Sequence, residues 1–472
     1  MARSTSQIST ETPTRDSAVA PERSAGGMTT AVEQERFSLF CIQVPRVSPV
    51  SLLRALPDEP AVLWQPPEGP VVLGLGEAGR IVASGPGRFA AVRQKAAALL
   101  ARIDQNTLID IEPVLLGGFA FSPDRAGGTA WELLGDALFR LPRWTYREDG
   151  DGAHLLGVIQ RSADATTIAR FTAEREMLLS LLSDLAGNSE SGHYVSPEPA
   201  DVATESVPES VENAMKWELG AQDILDGIAR GDLDKVVQAR RQVVALPTGS
   251  GVPEVLDGLA PHGRTATRFA IVEGNTAFVG ASPERLIAKR GLEIVTEALA
   301  GTAAGEDIHS LLQSGKDRRE QQLVVDEIVR ALSPLCAKMD VPETASTRTL
   351  RGLVHLVTPI AARLREPCHI LDLVEVMHPT PAVGGLPAES AMQWIEANES
   401  AARGWYAAPF GWIDRHGDGE FLVALRSSLL EPGRAYLYAG AGIVEGSDPR
   451  REFAEVELKL ETMRAALGRS SD

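Results

Sequence analysis

The segment YLYAGAGIVEGSDPRREFAEVELK, from Tyr436 to Lys459, predicts a strand, a glycine-rich stretch and a helix in close succession. Its first three residues are strand formers. Side-chain bulk then disappears at Gly440, Ala441 and Gly442, which leaves backbone N–H groups accessible to an anion. A serine and an aspartate are available to cap the following helix, and a proline suits its first position. The segment therefore predicts an anion-binding backbone beside a helix.

The predicted helix carries charged side chains on one face. Glu452, Glu455 and Lys459 are spaced i, i+3 and i+7, so they lie on the same side of the helix. Two interpretations are open. One is a carboxylate metal site next to a bound acid, and the other is an exposed helix with an ion pair, which is the more common arrangement.

A second carboxylate pair has the same spacing. Asp317 and Glu320 lie at i and i+3 in the segment Ile308–Leu335, for which the apolar pattern predicts mostly one long helix. The charged run KDRRE at this place is equally compatible with an ordinary helix start.

Four other side chains are candidates for a cleft. Lys235 begins the predicted strand KVVQARRQVV, and Glu284 follows a proline in a tight turn that holds its carboxyl rigidly. Arg426 lies in the middle of the predicted strand FLVALRSSLL, where its charge needs an anion. The fourth candidate is His355 in the predicted strand LVHLVTP. The alternative for Lys235 is a surface lysine at a strand end, and the alternative for His355 is a structural histidine.

Composition excludes several classes of protein. The 472 residues carry a net charge of −18, which argues against a general nucleic-acid binder but not against a locally basic pocket for an anionic substrate. No apolar run approaches the ~20 residues of a membrane span. Cys41, Cys336 and Cys368 are odd in number and far apart, which predicts reduced thiols in a cytoplasmic protein.

The chain divides into four segments by composition. Residues 1–35 are rich in Ser, Thr, Pro and Gly and predict a disordered tail, in which either Met1 or Met28 is the true start. Residues 36–187 are β-rich, and their strand patterns include a strand predicted at Ala137–Trp144 across Pro142. Residues 188–213 are polar and proline-rich, which predicts a linker or exposed loop. Residues 214–468 contain the candidate site residues.

In this order, these segments resemble the chorismate-utilising enzymes, and among them most closely the isochorismate synthases. The resemblance is carried by KVVQAR at Lys235–Arg240, GASPERL at Gly280–Leu286, EALAGT at Glu297–Thr302, KDRREQ at Lys316–Gln321, HPTPAVGG at His378–Gly385 and AGAGIVEGSDPRREFAEVELK at Ala439–Lys459. It implies one α/β (α+β) unit of two large, mostly antiparallel, stacked sheets flanked by helices. Residues 36–187 would be its N-terminal part and 214–468 its chorismate-binding catalytic region.

Particular residues within these motifs favour the isochorismate synthases. Lys235 stands where the ammonia-adding enzymes usually have Gln, and Ala300 stands where aminodeoxychorismate synthases have Lys. No glutamine amidotransferase subunit is therefore expected, and the chain would act as a monomer or homodimer. Two departures from the family pattern are the missing arginine before Gly305 and Gln321 in place of the expected histidine.

The implied reaction is attack of water at C2 of chorismate with loss of the C4 hydroxyl. By resemblance Lys235 is the base and Glu284 the acid. A lysine base must be neutral when it acts, which a desolvated, locally positive cleft favours. A salicylate synthase, which goes on to eliminate pyruvate, and a non-catalytic binding subunit are the alternatives. The fate of the product in quinone, siderophore or salicylate synthesis is left open.

The resemblance also implies a Mg²⁺ site and substrate contacts. Mg²⁺ would bridge the ring carboxylate of chorismate to Glu320 and Glu455, with coordinated waters held by Asp317 and Glu452. The implied substrate contacts are Thr302, His355, Arg426, Lys459 and the amides of Gly440, Ala441 and Gly442.

Overall fold

The structure is a computed structural model that describes residues 36–104, 111–189, 209–247, 249–304, 308–350 and 353–468. The predicted tail at 1–35 lies outside these residues. The described residues belong to one compact unit. The predicted loop at 188–213 is helical at both ends, where one helix extends through Ser189 and the next begins at Glu209, and its remainder lies outside the described residues.

The described residues contain 22 strands and ten α-helices. The strands are β1 Phe37–Val44, β2 Ala61–Gln65, β3 Val71–Leu75, β4 Gly79–Ala83, β5 Ile103–Asp104, β6 Leu115–Phe119, β7 Ala137–Leu141, β8 Trp144–Asp149, β9 Gly152–Gln160, β10 Lys235–Ala245, β11 Thr267–Glu273, β12 Thr276–Ser282, β13 Arg285–Arg290, β14 Glu293–Ala304, β15 Cys336–Asp340, β16 Ser346–Leu350, β17 Leu353–Leu364, β18 Gly385–Leu386, β19 Pro409–Ile413, β20 Gly419–Val423, β21 Ser427–Glu431 and β22 Arg434–Val444. The helices are α1 Pro49–Ala55, α2 Arg88–Leu100, α3 Ala165–Ser189, α4 Glu209–Arg230, α5 Val252–Gly258, α6 Ile308–Gln313, α7 Gly315–Leu332, α8 Ile370–Met377, α9 Ala388–Asn398 and α10 Pro449–Leu467, with a 3₁₀ helix at Ala260–His262.

Two large sheets confirm the predicted α/β architecture. One sheet has the strand order β18-β10-β22-β21-β12-β11-β2-β3-β8-β9-β1-β5, and the other has β15-β17-β14-β13-β20-β19-β6-β7-β4 with β16 added beside β17. The strand pairs found within the described residues are antiparallel, apart from the parallel pair of β1 and β5. The sequence regions before and after the predicted loop share both sheets, so they are parts of one fold.

Three predicted elements are interrupted. The long helix predicted at 308–335 is two helices, because Ser314 caps α7 by accepting a hydrogen bond of 3.1 Å from Asp317 N. The strand predicted across Pro142 is split into β7 and β8, since proline cannot donate to a sheet. The strand predicted around Arg426 is split into β20 and β21, which belong to different sheets, and Arg426 has a positive φ of 48° at the crossing.

Four elements frame the region where the predicted site residues lie. β10 pairs with β22, and Lys235 at the start of β10 lies opposite Val444. Helix α10 packs on β22, and helix α7 packs on β14 of the other sheet. The two helices with the predicted carboxylate pairs are thus placed against strands of different sheets and converge on one cleft.

Candidate active site

An open cavity lies between these elements, and the empty space within it, including solvent at its mouth, is about 690 Å³. Its wall consists of Val237, Pro283, Glu284, Leu299, Ala300, Gly301, Glu320, His355, Ala382, Val383, Tyr406, Leu425, Arg426, Tyr438, Ala439, Gly440, Gly442, Glu455 and Lys459. Eight of the residues predicted from the sequence are among them: Glu284, Glu320, His355, Arg426, Gly440, Gly442, Glu455 and Lys459. Lys235, Asp317 and Glu452 lie behind this wall in contact or in electrostatic interaction with its carboxylates.

Lys235 is completely buried and bonded to a wall residue. Its Nζ donates a hydrogen bond of 2.9 Å to Glu320 Oε1. Burial alone would raise the pKa of Glu320, but the charge and hydrogen bond of Lys235, together with the charges of Lys316 and Lys459, outweigh burial, so this pKa is lowered. Lys235 is therefore paired with a carboxylate, whereas the sequence predicted locally positive surroundings for it.

Gly442 makes room for this ion pair. A Cβ at this position would lie 2.4 Å from Glu320 Oε1 and 2.9 Å from Lys235 Cε. Both distances are too short for a Cβ contact, so a side chain here would displace the ends of Glu320 and Lys235, whereas glycine leaves both in place and keeps the backbone accessible.

Glu284 lies in the turn between β12 and β13 and is 5% exposed. Burial raises the pKa of its carboxyl to about 8, and the nearby charge of Glu297 also raises it. The charges of Lys235, Lys459 and Arg348 act in the opposite direction and lower it. The carboxyl is therefore protonated near neutral pH, as the predicted role of an acid requires.

The four predicted metal-site carboxylates lie close enough to influence one another. Glu455 pairs with Lys459 at 2.6 Å, and Glu452 pairs with Lys316. Burial raises the pKa values of Asp317 and Glu452, and the charges of Glu320 and Glu455 raise both further. This like-charge repulsion is what a divalent cation would relieve.

The residue set fits Mg²⁺ better than a metal that needs a complete protein cage. Within the described part of the chain, no three His, Cys, Asp or Glu side chains are already arranged around one metal position. Mg²⁺ commonly takes one or two carboxylates together with waters and substrate oxygens. Glu320 and Glu455 on the cavity wall supply such a pair, from α7 and α10 respectively.

Cationic and imidazole groups border the rest of the cavity. Arg426 donates a hydrogen bond of 3.1 Å to Thr462 Oγ1, and burial lowers its pKa to about 10, partly offset by Glu455. Burial lowers the pKa of His355 well below its usual value, and the charges of Arg426 and Lys459 lower it further, so the imidazole is neutral. Thr302 lies opposite His355 in the β14–β17 register, but its predicted side-chain contact lies outside the described part of the structure.

The backbone of β22 supports two of the three predicted amides. Val237 of β10 lies opposite Gly442 of β22, but Val237 N donates to Gly384 O and not to β22. The two residues are therefore a pair without mutual hydrogen bonds, and Gly442 directs its own peptide groups away from β10. Gly440 is oriented likewise, and its carbonyl accepts a hydrogen bond of 2.9 Å from Lys459 Nζ. Ala441 is the exception, because the alternation of the ladder directs its N–H to β10.

Several site residues were not recognised from the sequence. Tyr406 and Tyr438 stack with ring centroids 5.3 Å apart on the cavity wall, and both look like ordinary strand aromatics in the sequence. Gln321, noted only as a departure, accepts from Ala300 N at 2.9 Å and donates to Ala298 O at 3.0 Å. This glutamine fastens α7 to the wall strand β14.

With this fold and site, comparisons with known proteins identify the family. The family model described as "Chorismate binding enzyme" matches residues 24–468. The protein belongs to the chorismate-binding enzymes.

Its relatives carry more specific names. The chain is 36% identical over 454 residues to the salicylate biosynthesis isochorismate synthase of Pseudomonas aeruginosa, covering 93% of this chain and 92% of that protein. It is 34% identical over 366 residues to isochorismate synthase MenF of Bacillus subtilis, covering 76% and 75%. The solved structure of MenF, the menaquinone-specific isochorismate synthase from Escherichia coli, matches 92% of this chain and 95% of that chain with a TM-score of 0.73 and 25% identity.

Proposed function

We propose that the protein is a Mg²⁺-dependent isochorismate synthase, an isomerase that converts chorismate to isochorismate. One observation carries the proposal: a single cavity wall presents Glu284, with a pKa of about 8, and Glu320, which holds the buried Lys235. A proton donor and a latent base at one cavity are the two groups that the reaction requires. The names of the relatives support the same activity.

The acid and the base act on two different oxygens. Lys235 accepts a proton from the water that attacks C2, and Glu284 donates a proton to the hydroxyl that leaves C4. One C–O bond forms as another breaks and the ring double bonds shift, so the product is an isomer of the substrate. Lys235 acts in its neutral form, which requires its ion pair with Glu320 to open.

The remaining polar groups bind the dianionic substrate. Glu320 and Glu455 would hold Mg²⁺, and Asp317 and Glu452 would hold its waters. When bound, the cation neutralises the repulsion between a substrate carboxylate and the protein carboxylates.

The substrate carboxylates are bound by charge-assisted hydrogen bonds from Arg426 and Lys459 and by the N–H groups of Gly440 and Gly442. The neutral imidazole of His355 contacts the substrate from β17, and Thr302 next to it would do the same.

The second candidate is a salicylate synthase, which would go on to eliminate pyruvate at the same site. The Pseudomonas aeruginosa relative is named for salicylate biosynthesis but also as an isochorismate synthase, so its name supports this candidate only weakly.

We further propose that the protein acts in the cytoplasm without a glutamine amidotransferase subunit, as a monomer or homodimer. Water rather than ammonia is the proposed nucleophile, and all three cysteines are free thiols. Within the described residues, no helix is sufficiently long and apolar to span a membrane.

Product analysis tests the proposal directly. The protein is incubated with chorismate and Mg²⁺ near neutral pH, the products are separated, and pyruvate is measured with coupled lactate dehydrogenase. We expect isochorismate with little pyruvate. Stoichiometric pyruvate with fluorescent salicylate would establish the second candidate, and unchanged chorismate would contradict both.

A further inference from the structure

An ion pair outside the cavity wall holds the turn that carries Glu284. Arg348 binds Glu297 with two parallel hydrogen bonds of 2.7 Å each. The same guanidinium donates to Pro283 O at 3.0 Å, and Glu297 Oε1 accepts from Arg285 N at 3.2 Å. The pair therefore binds the backbone on both sides of Glu284.

We propose that the Glu297–Arg348 pair is a positioning device: it orients the Glu284 carboxyl, and its acidic member, Glu297, places a negative charge beside that carboxyl. This rests on the proposed role of Glu284 as the acid. Neither Glu297 nor Arg348 lines the cavity, so both act through Glu284 rather than on the substrate. A bidentate guanidinium–carboxylate pair suits this purpose because its geometry is fixed in a plane.

The charges around Glu284 give the two members of the pair opposite effects. The groups that face Glu284 are Glu297 from β14, Arg348 from β16, Lys235 from β10, Lys459 from α10 and Tyr406 before β19. Burial is the largest cause of the raised pKa of Glu284, and the charge of Glu297 is the next largest. The two lysines and Arg348 lower this pKa. Glu297 is thus the carboxylate that opposes ionisation of the acid.

The turn has other attachments that do not depend on the charge of Glu297. Ser282 Oγ donates to Val423 O at 2.5 Å, and Val423 N donates to Glu284 O at 3.1 Å. A glutamine at position 297 also retains an oxygen that can accept from Arg285 N. Glu297→Gln is therefore expected to fold while removing one negative charge beside Glu284.

The first measurement is the pH dependence of kcat in the wild type and Glu297→Gln. Because the acid must be protonated, the alkaline limb of the profile should move to lower pH, by about 1 unit for the loss of one neighbouring charge. Glu420→Gln is the matched control. Glu420 bonds to Arg285 at 2.8 Å on the same turn but is not among the charges that act on Glu284. Identical profiles for Glu297→Gln and the wild type would overturn the proposal.

The arginine provides a second variant. Arg348→Met removes the positive member of the pair and keeps Glu297, so kcat should fall without a shift of the alkaline limb to lower pH. Arg348→Lys keeps the charge and should recover part of the lost kcat. If Arg348→Met also moved the alkaline limb to lower pH, the proposal would be contradicted. Arg348→Met and Glu297→Gln would then have the same effect, as expected for a purely structural disturbance.

A readout without turnover separates this inference from the proposed activity. Infrared titration of the protonated carboxyl, assigned by its loss in Glu284→Gln, follows Glu284 directly. In Glu297→Gln the carboxyl should ionise at lower pH than in the wild type. This shift in a protein that makes no isochorismate would overturn only the proposed activity. An unshifted titration in an active enzyme would overturn only the positioning role.

Discussion

Lys235 Nζ lies 2.9 Å from Glu320 Oε1, although the two residues are 85 positions apart and belong to β10 and α7. The proposed base and a proposed metal ligand thus neutralise each other in a buried position. Removing one partner of such a pair typically costs about 3–5 kcal/mol, because the other charge stays buried without compensation. Loss of activity and loss of stability must therefore be measured separately for both residues.

Lys235→Ala should reduce kcat by about 10²–10⁴, the usual contribution of one acid–base group. Lys289→Ala is the matched control, because Lys289 is also buried and paired with an acid, but its partner Asp418 is not a residue of the cavity wall, whereas Glu320 is. Both variants should lose thermal stability, whereas only Lys235→Ala should lose turnover of chorismate. Near-normal kcat in Lys235→Ala would show that another group is the base.

The activity should also decline in alkaline solution. Glu284 donates a proton, and burial raises its pKa to about 8, so kcat should fall as the pH rises through this value. Glu284→Gln should lose about 10²–10⁴ of kcat, since an amide is not an acidic donor. A carboxyl with a raised pKa stabilises the fold at low pH and loses this contribution as the pH rises through the folded value. The melting temperature of the wild type relative to Glu284→Gln should therefore decrease as the pH rises from about 4.5, the ordinary pKa of a glutamate, to about 8, and should level off above it. An unchanged difference would contradict the raised pKa.

Removal of divalent cations should abolish turnover, and added Mg²⁺ should restore it. Glu320→Ala and Glu455→Ala should each weaken or abolish this response, because both carboxylates lie on the cavity wall. Glu461→Ala, which removes an exposed carboxylate from the same helix as Glu455, should respond to Mg²⁺ like the wild type. Full activity of the wild type after treatment with EDTA would exclude the proposed metal dependence.

Gly442→Ala should inactivate the protein without unfolding it. The added methyl would contact Glu320 Oε1 and Lys235 Cε, so these two side chains would have to move apart. We expect a large fall in kcat with far-UV circular dichroism unchanged. Gly127→Ala is the control, since a Cβ there has no atom within 4 Å. Equal activity of both variants would show that the ion pair tolerates displacement.

Many helices and strands were predicted from the sequence because the residues that favour them are close neighbours along the chain. The predicted strand KVVQARRQVV is β10, Lys235–Ala245, because its strand-forming residues follow one another without a break. The break at Ser314 was missed because the sequence pattern placed this serine inside a helix, whereas in the structure it caps the start of α7. The crossing at Arg426 was missed because the residues on both sides have strand character.

The two sheets were predicted through the family resemblance rather than through periodicity, and the resemblance also implied roles for eight of the nineteen wall residues. Pairs between residues that are distant in the sequence were not predicted. Neither Lys235 with Glu320 nor Glu297 with Arg348 has a spacing that links the partners, because the sheet registers and helix packing bring them together. Tyr406 was missed for the same reason, since an aromatic residue near a strand gives no indication of which cavity it borders.

The final prediction concerns the nucleophile. If Lys235 activates water, turnover in water labelled with ¹⁸O should place the label in the new ring hydroxyl at C2, as measured by mass spectrometry. Ammonium salts should yield no anthranilate or aminodeoxy product, because the site has a lysine base and presents Ala300 rather than a lysine to the cavity. An anthranilate synthase assayed in parallel serves as the positive control. An aminated product, or isochorismate without label, would contradict the assignment of water as the nucleophile and with it the role of Lys235.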